Sequence, residues 1–412
     1  MVKYERICLP NGLACIYNED CSTPFVAVNI LYKAGAKNET EGHTGFAHLF
    51  EHLMFGGSEN IPDYDARIQA AGGENNAFTT NDYTNYYIIL PASNLETALW
   101  LESDRMAKLV LSEKALRIQK DVVVEEFKQR YLNTPYGDIW LKLRPLAYKR
   151  HPYRRPTIGC SVEEIRNASL SDVKEFYRRY YAPDNAILSI SGNIKAEKAH
   201  RLVEKWFGDI PAAGHKKETL PAEPEQKEER RLLTHGKDLP ADAIYKAFHT
   251  DKRISDEFYI CNLISDLLSD GNSSRFYNRL IKGKASFSSI DAYVTGDTDP
   301  GLFIVSGKIS PGISPEEAEK DMENELHALV SGNIPEKEIR KVINKTESKI
   351  ACSSASYRNK ASELAFFEML GNAALINGEY EKYENISSED IVRTGCKLFE
   401  PENSSTLIYL KS

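Results

Sequence analysis

The 412-residue sequence predicts an α+β protein made by duplication, two α/β rolls in succession, each a mostly antiparallel sheet covered by helices. Three observations predict it. β-rich runs (Phe25-Val-Ala-Val-Asn-Ile-Leu-Tyr, Ala186-Ile-Leu-Ser-Ile-Ser, Leu302-Phe-Ile-Val-Ser) alternate with long amphipathic segments on both sides of mid-chain. Residues 211–231, PAAGHKKETLPAEPEQKEERR, are rich in Pro, Lys and Glu and poor in large apolar residues, which is linker chemistry near the middle of the chain. The flanking halves, about 200 residues each, repeat one another's apolar pattern, a period that means a duplicated domain rather than a solenoid unit. Domains are therefore expected at 1–212 and 232–412, with 213–231 as the linker.

Taken in order, Met1-Val-Lys-Tyr-Glu-Arg lacks an apolar signal core and reads as the first strand. His48-Leu-Phe-Glu-His-Leu-Met-Phe-Gly-Gly reads as a helix ending on glycine, where helices prefer to end. Gly72 to Thr84 reads as a turn and an edge strand, whose unpaired backbone groups would accept an extended peptide whatever its sequence. Ser112-Glu-Lys-Ala-Leu-Arg opens a long helix. In the second half, Asn262-Leu-Ile-Ser-Asp-Leu-Leu-Ser-Asp-Gly matches the first helix and Pro335-Glu-Lys-Glu-Ile-Arg matches the long one. Under that alignment His48, Glu51, His52 and Glu126 fall on Asn262, Ser265, Asp266 and Lys349. The second half keeps the apolar skeleton and loses every candidate ligand.

Composition narrows the function. Hydrophobic residues at 42% and charged residues at 27% give a soluble globular profile. A net charge of −8 argues against nucleic acid or an anionic membrane surface as partner. No apolar run reaches the ~18 residues of a spanning helix. Seven scattered cysteines form no Cys-x-x-Cys pair, so a thiolate zinc site is not expected, and a reducing compartment, the cytoplasm, is.

The chemistry gathers at residues 48–52. Positions i and i+4 share a helix face, so His48 and His52 can offer two imidazole nitrogens to one ion. Glu51 stands beside them, placed to take the proton of a zinc-polarised water. The order His-x-x-Glu-His is the inverzincin signature. A catalytic zinc needs a third protein ligand and an open position, and Glu125 and Glu126 are the candidates. Adjacent residues on a helix point about 100° apart, so only one of them can face the metal.

The motifs Leu9-Pro-Asn-Gly-Leu, His48–Gly57, Asn76-Ala-Phe-Thr, Thr84-Asn-Tyr-Tyr, and His151-Pro-Tyr with Ile158-Gly resemble the pitrilysin family of zinc metallopeptidases, in its processing-peptidase branch, along essentially the whole chain. The resemblance implies one zinc per chain, a zinc endopeptidase acting on unfolded peptides or presequences, and Glu51 as general base. It implies the last residue of the window Gln119–Glu126 as third ligand, which selects Glu126. Gln119 replaces the family's usual acidic residue and stands two turns before Glu126, where it can hydrogen-bond but carries no charge. Asn76, Ala77 and Phe78 match positions that line the substrate. The family also grips substrate with an Arg and a Tyr from its non-catalytic domain. Here those positions fall on Ile281 and Ser288, or one residue earlier on Leu280 and Phe287, which implies either weak activity or another donor, for which Arg275 and Arg279 are the candidates. The leading expectation is a homologous chain, in a heterodimer, that supplies the pair, with a homodimer as the fallback. A zinc-free scaffold subunit and a zinc hydrolase of non-peptide substrates are the rival readings. The ligand set speaks against the first and the edge strand against the second.

Overall fold

The computed structural model describes residues 1–215, 218–236, 238–332 and 334–411. Lys216 and Lys217 of the expected linker lie outside the described residues. Two sheets organise the chain. The first holds β1 (Glu5–Cys8), β2 (Ala14–Glu19), β3 (Phe25–Tyr32), β4 (Glu74–Thr79), β5 (Thr84–Pro91) and β6 (Ala186–Gly192), in spatial order β1-β2-β6-β3-β5-β4. The second holds β7 (Arg230–Gly236), β8 (Ala243–His249), β9 (Phe287–Val294), β10 (Leu302–Ile309) and β11 (Ser404–Lys411), in order β7-β11-β8-β10-β9.

Without β1 the two orders are the same pattern: the first strand pairs with the last, then come the second, fourth and third. Each sheet has a single parallel pair, β2 with β6 and β7 with β11, and its other pairs are antiparallel. The expected duplicated, mostly antiparallel α+β fold is what the chain adopts. Burial explains the strand patterns. All of β6 and nearly all of β3 are buried, and their runs are correspondingly apolar or small. The outermost β4 alternates exposed and half-buried residues, as one free edge and one covered face require.

The chain packs into two compact units, neither of them continuous in sequence. One comprises residues 1–127, 155–220 and 351–378; the other comprises 128–154, 221–350 and 379–412. Each sheet therefore takes a helix from the opposite half of the chain. The Tyr357–Met369 helix lies against β3 and β6, where Leu364, Ala365 and Phe367 join the core of Ala14, Ile16, Leu31 and Ile187. Its Lys360 is tied to Asp20 at 2.5 Å. Reciprocally, the Ile139–Ala147 helix buries Leu143 and Ala147 against Ala243, Tyr245, Leu407 and Tyr409. An open sheet leaves an apolar face to be covered, and here the cover comes from far along the sequence.

The Pro- and Glu-rich segment after residue 212 is fastened to each unit in turn. In the first, Glu218 accepts hydrogen bonds from Arg179 at 2.5 Å and the Tyr180 hydroxyl at 2.7 Å. In the second, Glu223 accepts from the backbone N–H groups of Lys149, Arg150 and His151 at 2.7–2.9 Å. Among the described residues no helix is long and apolar enough to cross a membrane.

Candidate metal centre

The site is built on the helix Phe46–Leu53 of the first unit. Its entry needs glycine twice over. Gly45 has φ +83°, and a Cβ there would stand 2.5 Å from the carbonyl oxygen of Ile158. The buried Glu39 side chain accepts the N–H groups of Gly45 at 2.8 Å and Ala47 at 2.9 Å, satisfying amides that the helix start leaves without partners. Burial pushes the Glu39 pKa up to about 8, although those two N–H groups pull it down. Beside it, Glu164 accepts from the backbone and hydroxyl of Thr44 at 3.0 and 2.6 Å.

The helix divides into two faces. Phe46, Ala47, Leu49, Phe50 and Leu53 are buried, with Phe50 against the rings of Phe176 (5.1 Å) and Tyr181 (4.9 Å). The remaining face presents His48, Glu51 and His52, all half-buried. With the helix anchored by its apolar side, the orientation of that face is fixed.

Against it packs the Glu113–Phe127 helix, which buries Leu116, Val123, Val124 and Phe127. Glu126 points at the imidazoles: its Oε1 is 3.7 Å from His48 Nε2 and its Oε2 is 3.3 Å from His52 Nε2. The two rings lie 4.9 Å apart at 73°. Glu125 is exposed, so the structure separates the two glutamates as helix geometry requires. Among the described residues, His48, His52 and Glu126 are the one group of three His, Cys, Asp or Glu side chains whose ligand atoms all lie within 4.8 Å of one another.

The spacing fits zinc. Ligands at ~2.0–2.1 Å in a tetrahedron stand about 3.3–3.4 Å from one another. The 3.3 Å separation matches that edge length, the 3.7 Å one is a few tenths of an ångström longer, and both exceed an ordinary N–H···O distance. Two imidazoles and a carboxylate, partly open to solvent, are the donor set of a zinc that keeps one position for water.

The other expected residues fall as follows. Gln119 is half-buried, two turns before Glu126 on the same helix. Asn76, Ala77 and Phe78 lie on β4, the outer strand of its sheet, with Phe78 40% exposed. Arg275 belongs to the second unit, where Glu338 accepts from its Nε and Nη2 at 2.8 and 2.9 Å and the residue is 8% exposed. Arg279 is held by Glu325 at 3.0 Å. Two residues of the site escaped the sequence reading. Thr79, one step beyond Phe78, donates its hydroxyl to Glu51 Oε2 at 2.6 Å. Its position in the Asn76-Ala-Phe-Thr motif was the available signal. Glu39, nine residues before His48, had none, because its role depends on a loop that returns to the helix start.

Along its length the chain is similar to known peptidases. The family described as "Insulinase (Peptidase family M16)" matches residues 14–159, and "Peptidase M16 inactive domain" matches residues 167–346. The chain is 27% identical over 414 residues to "Zinc protease PqqE" of Helicobacter pylori, covering 99% of this chain and 93% of that protein. It is 28% identical over 206 residues to the "Mitochondrial-processing peptidase subunit beta" of Saccharomyces cerevisiae, covering 49% of this chain and 44% of that one. The crystal structure of a protease from Helicobacter pylori superposes with a TM-score of 0.94 at 26% identity, covering 100% of both chains.

Proposed function

The chain belongs to the insulinase, or pitrilysin, family of peptidases, and on that premise we propose that it is a zinc-dependent endopeptidase hydrolysing unfolded peptides or presequences, with Glu51 as general base. One observation carries the reading: the triangle of His48, His52 and Glu126, spaced for a tetrahedral cation, with Glu51 on the same helix face. Those three residues would hold one zinc, which when bound supplies Lewis-acid polarisation of water and of the scissile carbonyl. Glu51 takes the proton of the attacking water and returns it to the leaving nitrogen. A peptide adding to the free edge of β4 is held through its backbone, and Asn76, Ala77 and Phe78 meet its side chains. Gln119, two turns before Glu126 on the same helix, is the uncharged residue that would stand behind the metal ligands once the cation is bound.

The second half carries neither ligands nor the expected Arg–Tyr pair. Arg275 and Arg279 are engaged by Glu338 and Glu325, which supports a homologous partner chain as the source of the missing donors, with a second copy as the alternative. The seven cysteines, all free thiols, support the cytoplasm as the compartment. The test is cleavage of a pool of unstructured peptides by the purified zinc-loaded chain, alone and with its nearest homologue. Internal cuts that disappear with a chelator and return with zinc are expected. A zinc-loaded chain inert in both settings would overturn the reading.

A further inference from the structure

Beneath the metal helix, the core of the first unit holds four polar groups that the rest of the protein leaves without partners. Neighbouring groups of the same kind are satisfied: Tyr64 donates to Glu102 Oε1 at 2.8 Å, and Tyr177 donates to the Arg105 carbonyl at 2.9 Å. Tyr32, Tyr86 and Tyr181 differ. Among the described residues, nothing stands in hydrogen-bonding geometry to any of these three hydroxyls. Arg105 adds the fourth group, since Glu102 holds its Nε and Nη2 at 2.8 and 2.6 Å while its Nη1 has no partner. All four residues are at most 2% exposed, where an unmade hydrogen bond is costly.

The four groups come from separate elements and converge. Tyr32 on β3 and Tyr86 on β5 have ring centres 5.9 Å apart, and Tyr181, just past the Leu170–Tyr180 helix, lies 4.6 Å from Tyr32. The guanidinium carbon of Arg105, on the Leu95–Lys108 helix, is 4.4 Å from the centre of the Tyr86 ring. Burial raises the pKa of all three phenols, and the Arg105 charge acts on each of them. Tyr86 and Tyr181 also feel one another, across a gap too wide or too oblique for a direct bond. Their rings pack under the metal helix, Tyr181 at 4.9 Å from Phe50 and Tyr86 at 6.1 Å from Phe55.

We propose that Tyr32, Tyr86, Tyr181 and Arg105 Nη1 form a buried hydration site whose ligand is an ordered water. Water has two acceptor positions and two protons. It can accept from Arg105 Nη1 and one hydroxyl and donate to the other two, which matches the two to four partners of internal waters. Polar groups that face one another beyond direct reach are commonly joined in this way. An anion suits the place less well, because Glu102 already matches the Arg105 charge and the Glu51 carboxylate acts on Tyr86 and Tyr181 as well. The water ties β3, β5, the Leu95–Lys108 helix and the chain at Tyr181 to one point, whether or not zinc is bound.

The sign of a stability change tests this in the full chain. Tyr32→Phe, Tyr86→Phe and Tyr181→Phe each keep the ring and remove one oxygen. With a water in place each variant loses a hydrogen bond, and its unfolding midpoint should fall by about 2–4 °C. Dry, unpaired hydroxyls give the opposite sign, because removing a desolvated polar group relieves its cost. Variants as stable as the parent, or more stable, overturn the proposal. Crystals of the full chain identify the bonded atoms. Density for a water at about 2.7–3.2 Å from Arg105 Nη1 and from at least two of the hydroxyls is expected, weakened in Tyr86→Phe. Hydroxyls turned to bond one another directly, with no such density, overturn the proposal. So does bromide soaked into the crystal and located there by its anomalous signal, the mark of an anion site.

Discussion

The two halves of this chain share a strand order and differ in what joins their corresponding helices. In the first unit, His48 and His52 face Glu126 at spacings that suit a foreign cation. At the matching positions of the second unit, Asp266 meets Lys349 at 3.5 Å, and Lys349 also reaches Asp270 at 3.0 Å. The cation there is the protein's own. Asn262, opposite His48 in the repeat, accepts from the Tyr383 hydroxyl at 2.8 Å, and Ser265, opposite Glu51, bonds back to the Asn262 carbonyl at 2.7 Å. Burial lifts the Asp266 carboxyl above its usual range against the pull of Lys349. The lesson is that this fold tolerates either solution between the two helices. On the proposed reading metal chemistry resides in four side chains, and the scaffold beneath them is kept in the half that lacks them.

The largest effects should separate the halves by function. His52→Ala removes one ligand and should abolish both zinc retention and turnover, whereas Asp266→Ala should leave zinc stoichiometry at one per chain. Glu51→Gln should keep zinc and lose ~10²–10⁴-fold in kcat, because an amide cannot take the water's proton. Its counterpart Ser265→Ala should leave kcat as it is. Metal analysis and steady-state kinetics on the four variants decide the matter. A Ser265 or Asp266 variant with lost turnover and intact folding would show that the second half takes part in the chemistry.

Chelation should discriminate next. Zinc at a hundred times its Kd stabilises the binding-competent state by ~2.7 kcal/mol. Removing it should loosen the Phe46–Leu53 and Glu113–Phe127 helices and leave the Asp256–Ser269 and Glu336–Ala355 helices, bridged by Lys349, unchanged. Hydrogen exchange with and without chelator reads this directly. Equal loss of protection in both pairs would break the comparison.

Much of this contrast was legible in the sequence because it is local. His48, Glu51 and His52 lie within five residues on one helix, and the apolar spacing of Asn262–Gly271 reports the same helix in the twin. The duplicated α+β fold followed from repeated strand and helix patterns. What stayed hidden depends on contacts distant in sequence. The Tyr357–Met369 helix covers β3 and β6 from more than 160 residues beyond the end of β6, and no periodicity shows which sheet a helix will cover. Glu39 and Thr79 were missed for the same reason, since hydrogen bonds to Ala47 and Glu51 cross between elements. The choice of Glu126 over Glu125 needed the family resemblance, as residue spacing alone left it open.

The caps of the paired helices offer a subtler contrast. The first-half helix is capped by buried Glu39, the second-half one by Ser255, whose side chain accepts the Phe258 N–H at 3.1 Å. A serine cap does not titrate. Glu39 has a folded pKa near 8 against an ordinary 4.5, so the folded state holds a proton that the unfolded chain has released. Its contribution to stability is complete below about pH 4.5 and is lost as pH rises towards about 8. Glu39→Gln should flatten the fall of unfolding midpoint across that window, while Ser255→Ala should lower the midpoint by a similar amount at every pH. An unaltered pH slope in Glu39→Gln would remove Glu39 as its source.

The smallest effect concerns the substitute cation. Lys349 has a side chain 56% exposed, and ion pairs of that exposure contribute at most about 1 kcal/mol. Lys349→Met should therefore reduce stability to denaturant by less than ~1 kcal/mol, and less still in high salt, which already screens the pair. Zinc content and kcat should not move. The loss stays small because Asp270 keeps Lys345 at 2.9 Å and Asp266, already inclined to hold a proton, can neutralise itself. A Lys349→Met chain that unfolds, or that changes its zinc stoichiometry, would mean that the ammonium does more than fill a vacated place.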